Sequence, residues 1–435
     1  MTLNRLFTLP PWIAGIQWFF FIFVNIIIIP ITVGAAFQLP ESEIASIMQV
    51  SFIVTGLACL VQGFLGHKRP ILEGQSGLWW GIFLTLVTTA SAQGMSLLTL
   101  GGSLSLGVIL SGIITIIFGI TGMGSLLGKL FKPGVMGVFV LLLGFTLIHI
   151  FLKGMLGIPF GVIEGQVTID IPVSMLSIFI AILVIIISIK SPVKVKSYAL
   201  LIGIVIGWII HRLLFGVEDT KGATNTTFSL FPLGKLTWDS GIVLTAVLAG
   251  ILNLTNTFGA LKGSDHLFKR NISNKEYGLS LTITGTTNIA SGILGLVPYA
   301  PYVSSIGFLR QTNIYDRLPF MIGSFLFLTM GIFPFISSLF IQLPLSIGSA
   351  VLFVAYLQLF LSSFEFLKQI VINSITVYRV AIPVFFGVII MMFPPEYFVS
   401  IPTTIRPFLS NGLLVGIILS IVIENIIDWD RLGNQ

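Results

Sequence analysis

The sequence is poor in charged residues and in cysteine. Only 9% of its 435 residues are charged, whereas 55% are hydrophobic. A soluble domain carries roughly 25% charged residues, so most of the surface of this chain must face a medium other than water. The single cysteine, Cys59, excludes a disulfide framework and a thiolate metal site. The composition therefore predicts a membrane protein.

The sequence also lacks grouped metal-binding or catalytic side chains. Its four histidines are scattered without the spacing of a metal site. No nucleophile paired with a base, and no phosphate-binding loop, falls within an apolar segment. We therefore expect no metal, no cofactor and no enzymatic activity.

Long apolar runs occupy most of the chain. A bilayer core about 30 Å thick is crossed by roughly 20 apolar residues in a helix. A window of that length predicts an all-α polytopic membrane protein with about fourteen transmembrane segments. These segments are 13–37, 44–66, 78–93, 104–124, 133–152, 172–189, 197–215, 240–261, 278–297, 303–313, 318–338, 345–367, 376–395 and 408–427. The first has no small-residue cleavage site and is interpreted as a retained span.

Basic residues collect in alternate loops of this arrangement. Lys and Arg in short loops stay on the cytoplasmic side, so we expect a protein of the inner (plasma) membrane with both termini cytoplasmic. The net charge of +6 then reflects topology and contact with anionic membrane lipid, and we expect no nucleic-acid partner. The inward loops hold Lys68, Arg69, Lys129, Lys132, Lys190, Lys194, Lys196, Lys262, Lys269, Arg270 and Lys275, and the outward loops hold Glu41, Glu43, Glu164, Asp170, Glu218 and Asp219.

Two short segments take the third place in each half of the chain. Pro70–Gly77 and Pro298–Gly307 each combine proline, polar residues and glycine at the start of a half-length helix. With seven spans per half, at 13–215 and 240–427, the second half begins on the opposite side of the membrane, so the repeats are inverted. Extended backbone persists at membrane depth only where protein or a wet cavity satisfies it. We expect short strands that lead into half-helices facing one central site; ordinary kinked helices are the alternative.

Polar residues at membrane depth indicate candidate contacts for a solute. Glu73 is the only carboxylate near mid-membrane, where it can bind a solute N–H group or carry a proton for coupling; an ion pair with Lys68 or Arg69 is the alternative. Free backbone N–H groups are expected at residues 74–77 and 303–306. The candidate solute-binding residues are Gln17, Glu73, Gly74, Gln75, Ser76, Gly77, Asn256, Ser304 and Ser305.

At these residues the sequence resembles the nucleobase/ascorbate transporter family, which includes bacterial uracil, xanthine and purine permeases. Gln17, thirteen residues before Pro30, matches a first-helix pattern, except that tryptophan replaces the histidine that follows the glutamine. The stretch Pro70–Ser76 is similar to the third-segment Gly-Ser-Ser-Phe region. Gly307 and Thr312 match the end of the tenth-segment signature.

The resemblance implies a core and a gate domain, with the solute between the third, eighth and tenth segments, and uptake coupled to H⁺ or Na⁺, often by a homodimer. The usual glutamate of the eighth helix falls at Asn256, the tenth-segment Glu or Gln at Ser304 and the third-segment phenylalanine at Gly77. We therefore expect a secondary active transporter for a purine or related nucleobase, with Glu73 as a relocated acidic group. A sulfate-permease-type anion transporter, and a channel or sensor without coupled transport, are the alternatives.

Overall fold

The computed structural model describes residues 9–122, 128–158, 168–196, 198–216 and 229–433, and most of them are helical. Of the predicted outward-loop acids, Glu164, Glu218 and Asp219 lie outside this part of the chain. In chain order the elements are α1 (Leu9–Ile26), α2 (Ile28–Ala36), α3 (Glu41–Phe64), β1 (Glu73–Gln75), α4 (Gly77–Ala92), α5 (Leu97–Thr121), α6 (Pro133–Met155), α7 (Ile171–Lys190), α8 (Val193–Lys196), α9 (Ala199–Phe215), α10 (Ser240–Gly263), α11 (Asp265–Phe268), α12 (Asn274–Leu294), β2 (Tyr299–Pro301), α13 (Ser304–Thr312), α14 (Arg317–Ile332), α15 (Pro334–Phe340), α16 (Leu345–Leu367), α17 (Tyr378–Met392), a 3₁₀ turn (Pro395–Phe398), α18 (Arg406–Leu409), α19 (Gly412–Ile426) and α20 (Trp429–Gly433).

Many of these helices match the length and hydropathy of a membrane span. Within the described residues, 7 helices are long and apolar enough to cross a membrane, or up to 8 if the bent pair α14 and α15 counts as one span. Helices α4, α9, α17 and α19 are apolar but shorter. The prediction of a polytopic α-helical membrane protein is confirmed, whereas the number of about fourteen spans stays a prediction.

Proline interrupts two of the predicted spans. In the first, helical hydrogen bonding is interrupted at Ile27, between α1 and α2, because Pro30 lacks an N–H group and its ring conflicts with the carbonyl of Ile26; Ile27 keeps helical backbone angles, and Pro11–Ala36 remains one span. The eleventh bends by 93° between α14 and α15. Phe333 at the bend is extended, as expected for a residue before Pro334. A hydropathy window misses both breaks because it does not register backbone geometry.

The two strands pair with each other near the middle of the helical assembly. A hydrogen bond extends the ladder at each end, from the N–H of Ser76 to the carbonyl of Pro298 at 2.7 Å and from the N–H of Tyr302 to the carbonyl of Leu72 at 2.8 Å. The antiparallel register places Glu73 opposite Pro301, Gly74 opposite Ala300 and Gln75 opposite Tyr299. Each strand thus satisfies backbone groups of the other. The predicted extended segments before α4 and α13 are confirmed, and continuous helices there are excluded.

A stripe of glycines brings α5 and α12 into close contact. Transmembrane helices pack closely where small residues face each other. A Cβ atom placed on Gly285 would lie 2.6 Å from the carbonyl oxygen of Gly112, and one placed on Gly119 would lie 2.6 Å from that of Gly278. Helix α12 in turn holds β2, because the Asn288 side-chain oxygen accepts a hydrogen bond from the Tyr299 N–H at 2.6 Å. The glycine contact therefore supports the strand pair.

The helices form two packed groups, each with elements from both halves of the chain. The strand group, named for its two strands, comprises α1–α5 and α10–α14; within it α5 packs on α10 and α12, and α14 packs on α1 and α3. The second group comprises α6, α7, α9, α16, α17 and α19, with α6 packed on α16 and α19. A buried ion pair joins α17 to α19 in the second group, with Arg379 Nε 2.9 Å from Glu424 Oε2.

Candidate solute-binding site

A cavity of about 1810 Å³ lies between the two helix groups and reaches the strand pair. Residues of α1, α4, α10 and α13 form its wall on the strand-group side, and residues of α6 and α16 form the opposite wall. Toward one face of the protein, its lining includes basic residues of loops and helix ends. These are Lys196, Lys262, Lys269, Arg270 and Arg310. The cavity thus extends from the strands to the face that the charge pattern predicts to be cytoplasmic.

Four of the nine predicted contact residues belong to the cavity wall, and the other five do not. Ser76 and Gly77 line it from the start of α4, Asn256 from α10, and Ser304 from the start of α13. These positions come from the third, eighth and tenth predicted segments, and the fold brings them to one cavity. The five that do not line it are Gln17, Glu73, Gly74, Gln75 and Ser305.

A hydrogen-bond network joins α4, α10 and β2 at the strand end of the cavity. The Ser76 hydroxyl donates to Asn253 Oδ1 at 2.6 Å. The amide nitrogen of Asn256 donates to Ser76 Oγ at 3.2 Å and to Asn253 Oδ1 at 3.0 Å. Asn253 itself donates to the carbonyl of Tyr299 at 3.0 Å. On α10, Asn256 therefore lines the site and Asn253 fastens the helix to β2.

The side chain of Glu73 points away from the cavity. It is fully buried and accepts hydrogen bonds from Gln62 Nε2 of α3 at 3.1 Å and from Thr284 Oγ1 of α12 at 2.7 Å. The carboxylate of Glu73 therefore does not line the cavity. The alternative ion pair is absent, because Arg69 Nη1 lies 2.8 Å from Asp265 Oδ1 instead.

Strand geometry explains why the other predicted contacts near the strands miss the cavity. Alternate side chains of a strand point to opposite faces, so Gln75 shares the orientation of Glu73 and donates a hydrogen bond to Ser51 of α3. A Cβ atom on Gly74 would lie 2.8 Å from Ile26 Cδ1, so backbone and apolar neighbours fill that side. The hydroxyl of Ser305 accepts from the N–H of Leu72 at 3.0 Å rather than facing a solute.

The predicted free N–H groups at residues 303–306 are partly wrong. A tight first turn uses two of them, since Ser305 N–H donates to the Tyr302 carbonyl at 3.1 Å and Ile306 N–H donates to the Val303 carbonyl at 3.0 Å. The N–H of Ser76 is likewise committed, to the carbonyl of Pro298 just before β2. At the start of α4, no side-chain hydrogen bond caps the helix. The uncapped first turn there begins at Gly77, on the cavity wall.

The wall also contains aromatic residues that the sequence does not distinguish from the many other aromatic residues of the chain. Phe21 and Phe308 stack with ring centroids 4.4 Å apart, and both line the cavity. Tyr356 lines it from the second group. Asn25, which the sequence offers with Gln17 as a contact for a solute's amide or ring edge, lies one turn beyond Phe21 on α1 and reaches the wall, whereas Gln17 does not. No local signal marks Tyr356, because the contribution of α16 depends on the packing of two distant halves.

The strand end of the cavity combines neutral polar groups with aromatic rings. The acidic and basic residues that line the cavity lie elsewhere, at helix ends and in loops. Among them, Arg310 Nη1 and Glu365 Oε1 are 3.0 Å apart. Half-helices that follow extended segments and face a cavity at membrane depth are the architecture of a transport protein. Fold and site together therefore define a membrane permease.

Comparison with known proteins identifies the group of permeases. The chain belongs to the Permease family described by the Xan_ur_permease family model, which matches residues 11–396. The resemblance drawn from the sequence is thereby confirmed, and the family consists of transporters rather than enzymes.

Similar proteins cover nearly the whole chain. The "Putative purine permease YwdJ" of Bacillus subtilis (strain 168) is 28% identical, over 96% of this chain and 96% of its own length. The "Xanthine permease" of the same organism is 23% identical, over 94% of this chain and 92% of its own. Among solved structures, the transmembrane domain of the cyanobacterium bicarbonate transporter BicA matches with a TM-score of 0.60 at 13% identity, over 98% of both chains. The last match shows a shared fold.

Proposed function

We propose that this permease is a secondary active transporter for a purine or a related nucleobase. The observation that carries the proposal is the strand end of the cavity, where Ser76, Gly77, Asn256 and Ser304 converge. A purine is flat and presents several hydrogen-bond donors and acceptors, which amides, hydroxyls and backbone N–H groups match without charge. The similarity to a purine permease and a xanthine permease supports the same solute class.

The transport cycle in this proposal moves the two helix groups against each other. The strand group acts as a core that carries the solute, and the second group acts as a gate. The cavity opens toward the basic face, so with that face in the cytoplasm the structure corresponds to an inward-open state. The two inverted repeats, at 13–215 and 240–427, supply the symmetry-related outward-open state. Assembly into a homodimer belongs to the same proposal and rests on the family resemblance.

Glu73 is the proposed site of coupling to a proton, with Na⁺ as the alternative ion. A buried carboxylate is costly unless a cation or a proton accompanies it. The described partners of its carboxylate are the amide of Gln62 and the hydroxyl of Thr284, both neutral. Since Glu73 lies on β1 and Ser76 follows directly at the start of α4, an ion there can act on the site through the strand rather than through the solute.

The proposal is tested by uptake into proteoliposomes that contain the purified protein. Radiolabelled xanthine, hypoxanthine, guanine, adenine, uric acid and uracil are each offered with an inward gradient of H⁺ or of Na⁺. We expect saturable accumulation of at least one purine that collapses with one of the two gradients. Saturable bicarbonate or sulfate uptake without any purine uptake would favour the anion transporter, and linear flux that ignores both gradients would favour a channel.

A further inference from the structure

The amide nitrogen of Asn256 is held within the protein, at the wall of the cavity. An asparagine side chain has two N–H donors and one carbonyl acceptor. Its two donor contacts go to Ser76 Oγ at 3.2 Å and to Asn253 Oδ1 at 3.0 Å. Ser76 Oγ and Asn253 Oδ1 are only 2.6 Å apart, so they share one N–H of the Asn256 amide, and the side-chain oxygen and the second N–H remain for a solute.

The backbone of β2 fixes the orientation of the Asn256 amide through a second asparagine, Asn253. The Tyr299 carbonyl can only accept, so the side-chain nitrogen of Asn253 must face it, at 3.0 Å. The Asn253 oxygen then faces the opposite way, toward the Ser76 hydroxyl at 2.6 Å and the nitrogen of Asn256. Asn253 is 3% exposed and is not part of the cavity wall. It therefore acts on the site only through its neighbours.

We infer that Asn253 is a positioning residue that determines solute specificity. It turns the amide of Asn256 so that the site presents a neutral acceptor, which selects a nucleobase with a ring N–H at that position. A site built around such a hydrogen bond rejects analogues that lack the donor, because its own polar group is left unpaired. The inference rests on the proposed transport of a nucleobase and names the chemical feature that this site reads.

The test compares donor discrimination in Asn253 variants. Radiolabelled xanthine is the probe, and unlabelled xanthine and its 1-, 3-, 7- and 9-methyl derivatives compete for uptake. Each methyl derivative lacks one ring N–H, and unlabelled xanthine is the reference. In the wild type, one methyl position is expected to be rejected by a factor of ten or more. In Asn253→Leu, the affinity for xanthine is expected to fall about tenfold while that derivative changes less than twofold, so the discrimination ratio falls about tenfold.

Matched variants separate positioning from general damage. Asn253→Gln keeps both an amide nitrogen for the Tyr299 carbonyl and an oxygen for Ser76 and Asn256, and is expected to retain more of the wild-type ratio than Asn253→Leu does. Thr255→Val alters a buried residue of the same turn whose hydroxyl bonds only to the Leu252 carbonyl among the described groups, and it should leave both affinity and ratio unchanged. If Asn253→Leu does not reach the membrane, Ser76→Ala removes one of the two anchors of Asn256 and should lower the ratio about threefold.

Two results would overturn the inference in distinguishable ways. An equal loss of affinity for all five competitors in Asn253→Leu, or an unchanged ratio, would mean that Asn253 is only structural while purine transport stands. Absence of any purine uptake by the wild-type protein would overturn the proposed function together with this inference.

Discussion

The contact between α5 and α12 is sensitive to a single methyl group. In Gly285→Ala, the added Cβ would lie 2.6 Å from the carbonyl oxygen of Gly112 and 2.9 Å from the backbone nitrogen of Ile116. Ordinary contacts of a Cβ begin at 3.4 Å, so the helices must separate by about 0.8 Å. The obstructing atoms are backbone atoms and cannot rotate away. Such overpacking costs about 1–3 kcal/mol, which exceeds the gain of about 1 kcal/mol from alanine in a helix.

We therefore expect Gly285→Ala to lower the melting temperature of the detergent-solubilised protein by about 3 °C, measured by size-exclusion chromatography after heating. Gly307→Ala is the matched control, because a Cβ on Gly307 meets nothing within 4 Å. It should melt at or slightly above the wild-type temperature. If both variants melt like the wild type, the glycine contact does not hold the two helices together.

Three further substitutions test the electrostatics of the protein. Glu73→Gln should abolish the dependence of uptake on the H⁺ gradient while normal membrane levels persist; unchanged gradient dependence would remove this residue from coupling. Arg379→Met leaves its partner carboxylate buried without a cation and should destabilise the second group by about 3–5 kcal/mol, seen as a lower melting temperature, whereas methionine at both positions should restore most of the loss. Burial raises the pKa of Glu276, but hydrogen bonds from Ser273 and the ion pair with Arg270 outweigh it and hold the pKa below 4.5. Its stabilisation is therefore fully present above the unfolded pKa of about 4.3 and is lost as the pH falls through the folded value, so the difference in melting temperature between wild type and Glu276→Gln should be present at pH 7 and vanish in more acidic buffer.

The positions on the cavity wall were predicted best where backbone chemistry marks them. Proline and glycine at Pro70–Gly77 and Pro298–Gly307 indicate extended backbone before a short helix, and both strands are observed there. Ser76 and Ser304 follow directly from that interpretation. Asn256 was identified because a polar side chain at membrane depth is costly and requires partners. Each of these signals is local in sequence.

Two of the positions that failed, Glu73 and Gln75, depend on the face of β1 that meets the cavity. Alternation along a strand places Glu73 and Gln75 on one face and Ser76 on the other. The sequence predicts this alternation, but it does not predict which face of β1 is buried against α3. The role of the tryptophan that replaces the family histidine likewise depends on tertiary packing. Trp18 is fully buried, with its ring 4.5 Å from that of Phe308, and so packs helices together rather than facing the solute.

The sequence by itself determined that this chain is a polytopic membrane protein with two interrupted segments, because hydropathy, proline and glycine act within a few residues of where they stand. The tertiary structure alone decided which side chains reach the cavity and how the amide of Asn256 is turned. Those outcomes depend on partners far away in the chain, such as Ser76 and Asn253, 177 positions apart. Only folding brings such groups within hydrogen-bond distance.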